Sequence, residues 1–103
     1  LAVQSGAIVV LKGTGTVTAL RSGRAWVNPT GNAMLATAGS GDVLAGMIGA
    51  FLAQKFDAVE SALAAVWIHG QSVDGCLANV TASDILEMSA ETLEVLRARS
   101  AAE

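Results

Sequence analysis

The amino-acid sequence predicts an α/β chain in which short strands come first and helices follow. Three observations carry this prediction: β-branched apolar runs in the first third, a hairpin signal between two of them, and Ala- and Leu-rich segments with helical spacing afterwards. The 103 residues allow one domain or part of one. Because strands and helices do not alternate, the pattern indicates the distal end of an α/β fold, not a self-contained doubly wound sheet.

The strands are predicted at residues 7–11, 16–20 and 24–27. The first is a continuous apolar run, which is typical of a strand buried on both faces. The other two flank Arg21-Ser22-Gly23, a composition typical of a hairpin turn.

Three helices are predicted after the strands. The first covers residues 42–54, and because small residues occupy the faces beside its apolar stripe, we expect it to be buried nearly all round. The second begins at Asp57, which with Glu60 resembles a capping box, and continues to about residue 77. A short turn starts near residue 83 or 84, and residues 90–99 form the last helix.

A run of small residues over positions 28–42 separates the strands from the helices and ends in a carboxylate. Glycine lets the backbone approach a ligand closely, and the first turn of a helix carries unpaired N–H groups and the positive end of the macrodipole. Gly39 and Gly41 therefore predict an anion cradle, for which phosphate is a common ligand. The alternative is a tight turn in which Asp42 merely caps the helix.

This run, together with the segment Lys12-Gly13-Thr14-Gly15-Thr16, resembles the carboxyl-terminal part of the ADP/ATP-dependent NAD(P)H-hydrate dehydratases. These enzymes belong to the ribokinase-like superfamily. The core Gly-Ser-Gly-Asp is shared with sugar and vitamin kinases, whereas the longer string over residues 28–46 and the later Ala82-Ser83-Asp84-Ile85 are typical of the dehydratases. The resemblance implies the distal part of a ribokinase-like three-layer α/β fold.

The resemblance also implies an activity, the dehydration of the (S)-hydrate of NADH or NADPH with ADP or ATP as co-substrate and Mg²⁺ as charge partner. Asp42 would contact the substrate and act as the catalytic base, with an anion hole at Gly39, Ser40 and Gly41. The nucleotide-binding residues would be Lys12, Gly13, Thr14, Gly15, Thr16 and Gly41.

Other polar and aromatic residues allow simpler interpretations. Asn28 and Asn32 either contact the nucleotide or cap backbone groups of their own loop. His69 is interpreted as a helix-end residue that interacts with the dipole, and Trp26 and Trp67 as core residues.

Two other functions stay open. A small-molecule kinase of the same superfamily would share the chemistry up to phosphoryl transfer, and a stable phosphorylated product would identify it. The second alternative, from a different class, is an inactive fragment or a helical interaction module.

Composition limits the partners and the location. A net charge of −3 disfavours nucleic acid as a partner. The longest apolar run, residues 43–53, is shorter than the roughly twenty residues of a membrane span. Cys76 is the only cysteine, which excludes an internal disulfide and favours a cytoplasmic setting; we interpret it as a small buried hydrophobe.

The first residues suggest that the chain is part of a longer domain. Residues 1–6 are typical of the last turn of a helix closed by Gly6. We therefore expect residues 1–103 to be the carboxyl-terminal, nucleotide-binding portion of a single ribokinase-like domain. We also expect a homo-oligomer, and expect this portion to need the upstream part of the domain for ordered packing and activity.

Overall fold

The computed structural model describes residues 7–12, 16–32, 39–74 and 80–102. The interpretations of residues 1–6 and of Cys76 fall outside these ranges, as do three nucleotide-binding predictions, Gly13, Thr14 and Gly15. Within the described ranges a three-stranded sheet is followed by three helices: β1 (Val9–Leu11), β2 (Val17–Ala19), β3 (Ala25–Val27), α1 (Ser40–Ala53), α2 (Ala58–Gln71) and α3 (Ala82–Ala102).

The strands form an antiparallel sheet in the order β1-β2-β3, in which Val10, Thr18 and Trp26 lie opposite one another. The turn between β2 and β3 confirms the predicted hairpin. Leu20 N–H donates to the Arg24 carbonyl at 2.7 Å, and Gly23 adopts a φ of 93°, which favours glycine.

The two faces of the sheet differ in burial. Val10 packs against the helical core and Thr18 is buried, so this face lies against the helices. Because side chains alternate along a strand, their neighbours point the other way, and Leu11 and Val27 are 66% and 69% exposed. Within the described residues the helices cover one face of the first strand; its burial on both faces, which needs further sheet neighbours, stays a prediction.

Helix α1 begins two residues before the predicted start, directly after Gly39. Its buried residue Leu44 joins Ala65 and Val66 of α2 in the main core cluster. Leu52 is exposed and a methyl group added at Gly49 would meet nothing within 4 Å, so the described elements alone do not bury this helix nearly all round, and that burial stays a prediction.

Helix α2 begins where its cap predicts. The Asp57 carboxylate accepts hydrogen bonds from the N–H groups of Val59 at 3.0 Å and Glu60 at 3.2 Å. The helix ends at Gln71, earlier than the predicted residue 77. The next residues form a turn in which Val73 N–H donates to the Gly70 carbonyl at 3.2 Å.

Helix α3 is one continuous element, where the sequence predicted a turn and a shorter helix. A reciprocal pair of hydrogen bonds explains its early start. Thr81 N–H donates to the Asp84 carboxylate at 2.9 Å, and Asp84 N–H donates to the Thr81 hydroxyl at 3.2 Å. Thr81 is thus the cap, and residues 83 and 84 belong to the first helical turn.

The two tryptophans are less buried than expected. Trp26 is 45% exposed, and the Arg24 guanidinium lies 5.5 Å from a ring centroid, a cation–π contact at the surface. Trp67 is half-buried. Among the helices in the described ranges, none combines the length and hydrophobicity that crossing a membrane requires.

Candidate functional site

The candidate site is built around the first turn of α1, which Gly39 shapes. Gly39 has a φ of 88°, a conformation that side chains rarely adopt, and an added methyl group would lie 3.1 Å from the Ala82 methyl of α3. Its carbonyl accepts hydrogen bonds from Asp42 N–H at 3.1 Å and Val43 N–H at 3.2 Å. Glycine at this position therefore permits both the sharp entry into α1 and the close packing of α3.

Lys12 lies over this turn. It follows β1 directly, and its ammonium group occupies the space that a side chain at Gly41 would need. The lysine Cε lies 3.7 Å from the same point. A cation beside a helix N-terminus meets the positive end of the macrodipole, which is unfavourable unless an anion lies between them. The arrangement of Lys12 and Gly41 is therefore chemically suited to hold an anion.

His69 reaches the same turn from α2. Its Nε2 lies 2.9 Å from the Ser40 carbonyl oxygen, and since a carbonyl only accepts, Nε2 carries the proton. His69 is buried, with 5% of its surface exposed. Burial lowers the pKa of His69 below its ordinary value, the hydrogen bond to Ser40 opposes this shift, and the charge of Lys12 lowers the pKa further.

This contact changes the interpretation of His69. The residue does lie in the last turn of α2, as the sequence indicates. Its ring, however, contacts the start of α1 and not only its own helix end.

Asp42 lies in the first turn of α1 and is exposed. It stands at one end of an open cleft of about 510 Å³ between α1 and α3. Apart from Asp42 the cleft is lined by apolar and small residues, namely Val43, Gly46, Met47, Ala50 and Leu86. An exposed carboxylate beside an apolar cleft can receive a proton from a bound hydroxyl group.

Residues 28–32, Asn-Pro-Thr-Gly-Asn, form a strap across the end of α2. The Asn28 amide donates to the Thr30 hydroxyl at 2.8 Å, and that hydroxyl donates to the Trp67 carbonyl at 2.9 Å. The Asn32 amide donates to the Val73 carbonyl at 2.8 Å. The Asn28 amide also donates to the Thr30 carbonyl at 3.1 Å, a backbone group of its own loop, whereas Asn32 reaches a carbonyl of the turn after α2.

Two further residues hold the strap, and sequence reasoning assigned them no such role. The Asp74 carboxylate accepts from Gly31 N–H at 3.1 Å and 3.2 Å. A side chain at Gly70 would collide with Thr30 and Gly31, so glycine is what allows the strap to touch the helix.

The structure thus brings together Lys12, Ser40 and Gly41 among the predicted site residues, with Asp42 adjacent in the chain. Leu11 lies opposite Val17, so Thr16, just before β2, lies at the same end of the sheet as Lys12; its carbonyl accepts from Asn28 N–H at 2.8 Å.

Comparison with known proteins shows which family this chain resembles. Residues 1–94 match the family model described as NAD(P)H-hydrate dehydratase. The chain is 48% identical over 92 residues to a bifunctional NAD(P)H-hydrate repair enzyme of Gloeobacter violaceus, covering 89% of this chain and 18% of that protein. It is 54% identical over 69 residues to an ADP-dependent (S)-NAD(P)H-hydrate dehydratase of Neisseria meningitidis, covering 67% of this chain and 23% of that protein.

A solved structure confirms the predicted fold class. The ADP/ATP-dependent NAD(P)H-hydrate dehydratase of Bacillus subtilis, co-crystallised with ATP and Mg²⁺, superimposes with a TM-score of 0.83 at 34% identity. The match covers 90% of this chain and 35% of that one. The chain therefore spans about a third of the matched structure and about a fifth of the two relatives named above.

Proposed function

Since the chain belongs to the NAD(P)H-hydrate dehydratase family, we propose that it supplies the nucleotide-binding part of a single ribokinase-like domain that dehydrates the (S)-hydrate of NADH or NADPH. ADP or ATP is the proposed phosphoryl donor, as the names of the relatives suggest for those proteins. One observation carries the proposal: the Lys12 ammonium lies against Gly41 at the N-terminus of α1, where it favours a phosphate group.

The proposed reaction has two stages. In the first, the hydroxyl oxygen of the hydrate attacks the terminal phosphorus of ADP, the Asp42 carboxylate accepts the hydroxyl proton, and AMP leaves with the bonding pair (ADP leaves when ATP is the donor). In the second, the carbon–oxygen bond breaks, phosphate leaves with its electron pair, and the neighbouring carbon gives up a proton, which leaves with the phosphate, as the ring double bond forms again.

The start of α1 would act mainly in the first stage. Charge develops on the phosphoryl oxygens during transfer, and fixed donors aimed at that charge stabilise the transition state. The Asp42 and Val43 N–H groups already donate to the Gly39 carbonyl. The stabilisation is therefore assigned to the Gly41 N–H and the Lys12 ammonium.

A Mg²⁺ ion would arrive with the nucleotide. Magnesium is commonly held by one or two carboxylates together with substrate phosphates and water. Across the described ranges no cluster of three or more Asp, Glu, His or Cys side chains forms a metal cage. The nucleotide phosphates would hold the ion beside the first turn of α1, where its charge would neutralise the transferred group.

The test measures products and nucleotide affinity in the complete protein. Incubation with the hydrate and ADP is expected to restore NADH absorbance and release phosphate. Lys12→Ala is expected to raise the KM for ADP about tenfold, in line with the loss of one charge-assisted contact. Lys55→Ala is the matched control, since Lys55 lies just beyond the opposite end of α1.

Two results would count against the proposal. A stable phosphorylated product without restored NADH absorbance would identify a small-molecule kinase. Equal KM values for Lys12→Ala and Lys55→Ala would show that Lys12 is a surface charge without a contact to the nucleotide.

A further inference from the structure

His69 is a buried polar residue with no part in the chemistry proposed above. Its Nε2 lies 2.9 Å from the Ser40 carbonyl oxygen, across 29 positions of the sequence. We propose that His69 is a positioning residue, which holds the Ser40 carbonyl and thereby aims the Gly41 N–H at the bound phosphate. The effect on catalysis rests on the proposed function, whereas the effect on the first turn of α1 does not.

One peptide unit connects the two groups. The Ser40 carbonyl and the Gly41 N–H belong to the same planar group and point in opposite directions. In a helix the carbonyl points toward the C-terminus, so this N–H points out of the N-terminus, and it belongs to the residue whose side-chain space the Lys12 ammonium occupies. A hydrogen bond that fixes the oxygen therefore fixes the direction of the N–H, and polarises it toward stronger donation.

His69 is itself held firmly enough for this purpose. Its own carbonyl accepts from the Ser72 hydroxyl at 2.7 Å. The strap bonds to the preceding turn through the Thr30 hydroxyl and the Trp67 carbonyl, and touches Gly70. A residue that is packed and hydrogen-bonded from several sides can position a neighbouring group within a fraction of an ångström.

The charge state of the ring agrees with this role. Burial and the nearby Lys12 ammonium both lower the pKa of His69 and so favour the neutral imidazole. A neutral donor holds Ser40 without placing a second cation beside Lys12. The neutral Nε2–H form and the protonated ring both donate through Nε2, so the bond to Ser40 persists when the ring titrates.

The experiment compares three variants of the complete protein. His69→Leu removes the donor and keeps much of the volume, while His69→Gln keeps an amide donor. Val73→Ala is the matched control, because Val73 is fully buried at the same end of α2 and its loss affects packing only. The measurements are kcat and the KM for ADP in hydrate repair, and hydrogen exchange of the amides of residues 42–44.

We expect His69→Leu to lower kcat at least tenfold, with a smaller change in KM, and to speed exchange in the first turn of α1. His69→Gln should largely restore both kcat and the slow exchange, and Val73→Ala should change neither. If His69→Leu matches Val73→Ala in kcat and exchange, the positioning role is wrong. If the wild-type protein repairs no hydrate but His69→Leu still loosens this turn selectively, the positioning role stands and the proposed function fails.

Discussion

At Gly41 the absence of a side chain leaves room for the Lys12 ammonium. Its backbone does not have a positive φ, so a methyl group here would displace the flexible lysine and not strain the chain. We expect Gly41→Ala to weaken ADP binding about tenfold, roughly the value of one charged hydrogen bond. Calorimetric titration of the complete protein measures this.

Gly49→Ala is the matched control, since a methyl group there meets nothing within 4 Å. Both variants replace glycine within α1 and should gain up to about 1 kcal/mol of helix stability. An equal effect of the two variants on ADP affinity would contradict a role for the space at Gly41.

Asp42 carries the proposed acid–base step. Asp42→Asn preserves the shape of the side chain but cannot accept the proton, so we expect kcat for hydrate repair to fall about 10²–10⁴-fold. The free energy of unfolding should change by no more than about 1 kcal/mol, the usual value of a carboxylate in the first turn of a helix. Steady-state kinetics and urea denaturation measure the two quantities, and a variant that retains more than about half of the activity would rule out this role.

At the scale of the element, α1 ends in a turn with one left-handed position that favours glycine. Lys55 occupies that position. Phe56 N–H donates to the Phe51 carbonyl at 3.2 Å and Lys55 N–H to the Leu52 carbonyl at 2.9 Å, the pattern of a Schellman motif. The Phe51 and Phe56 rings pack edge to face at 5.8 Å. Lys55 thereby adopts a φ of 68°, which costs a side-chain-bearing residue about 1–2 kcal/mol.

We therefore expect Lys55→Gly to raise the free energy of unfolding by about 1 kcal/mol. Glycine removes the cost of the positive φ, but because the unfolded chain is more flexible with glycine, part of this gain is lost. Urea denaturation measures the change. Gln54→Gly is the control, because Gln54 has a φ of −84° and gains nothing from glycine. A stabilisation from Gln54→Gly as large as that from Lys55→Gly would contradict the assignment of strain.

At the scale of the whole molecule, His69 makes stability depend on pH. Its pKa is lowered in the folded state below 6.5, so the unfolded chain binds more protons as the pH falls through that value. The stabilisation is complete above pH 6.5, declines below it, and stops declining once the folded ring is also protonated. Urea denaturation at pH 7.5 and 5.5 should show a smaller loss for His69→Gln than for wild type.

Asp84 titrates in a separate range. Hydrogen bonds from the Thr81 backbone and side chain lower its pKa below 3.8, so its contribution is lost only under more acidic conditions. An equal loss of stability between pH 7.5 and 5.5 in wild type and His69→Gln would show that the buried imidazole is not responsible.

The outward face of the sheet is also a property of the whole molecule. Val17 of the central strand lies opposite Leu11 on one side and Val27 on the other, so the three residues share one face of the sheet. Leu11 and Val27 are both largely exposed. An apolar face of this kind favours association. We expect residues 1–103 expressed alone to self-associate in sedimentation experiments, and Leu11→Ser with Val27→Ser to reduce the association more than Leu86→Ser on α3. A monomeric wild-type chain would contradict this expectation.

The sequence by itself determined the features that depend on neighbours within a few positions. The hairpin at Gly23 and the cap at Asp57 each use hydrogen bonds between residues two to four apart, so the local residue types predict them. The glycine-rich run predicted a helix N-terminus suited to an anion, and its longer string indicated the family.

The tertiary structure decided which distant groups meet. The contact of His69 with Ser40 spans 29 positions, and that of Thr30 with Trp67 spans 37. Neither leaves a periodic or local signal, because the partners are backbone carbonyls, which every residue has. Burial was decided in the same way: α1 and β1 have apolar sequences on several faces, but a face is buried only where another element of the molecule lies against it.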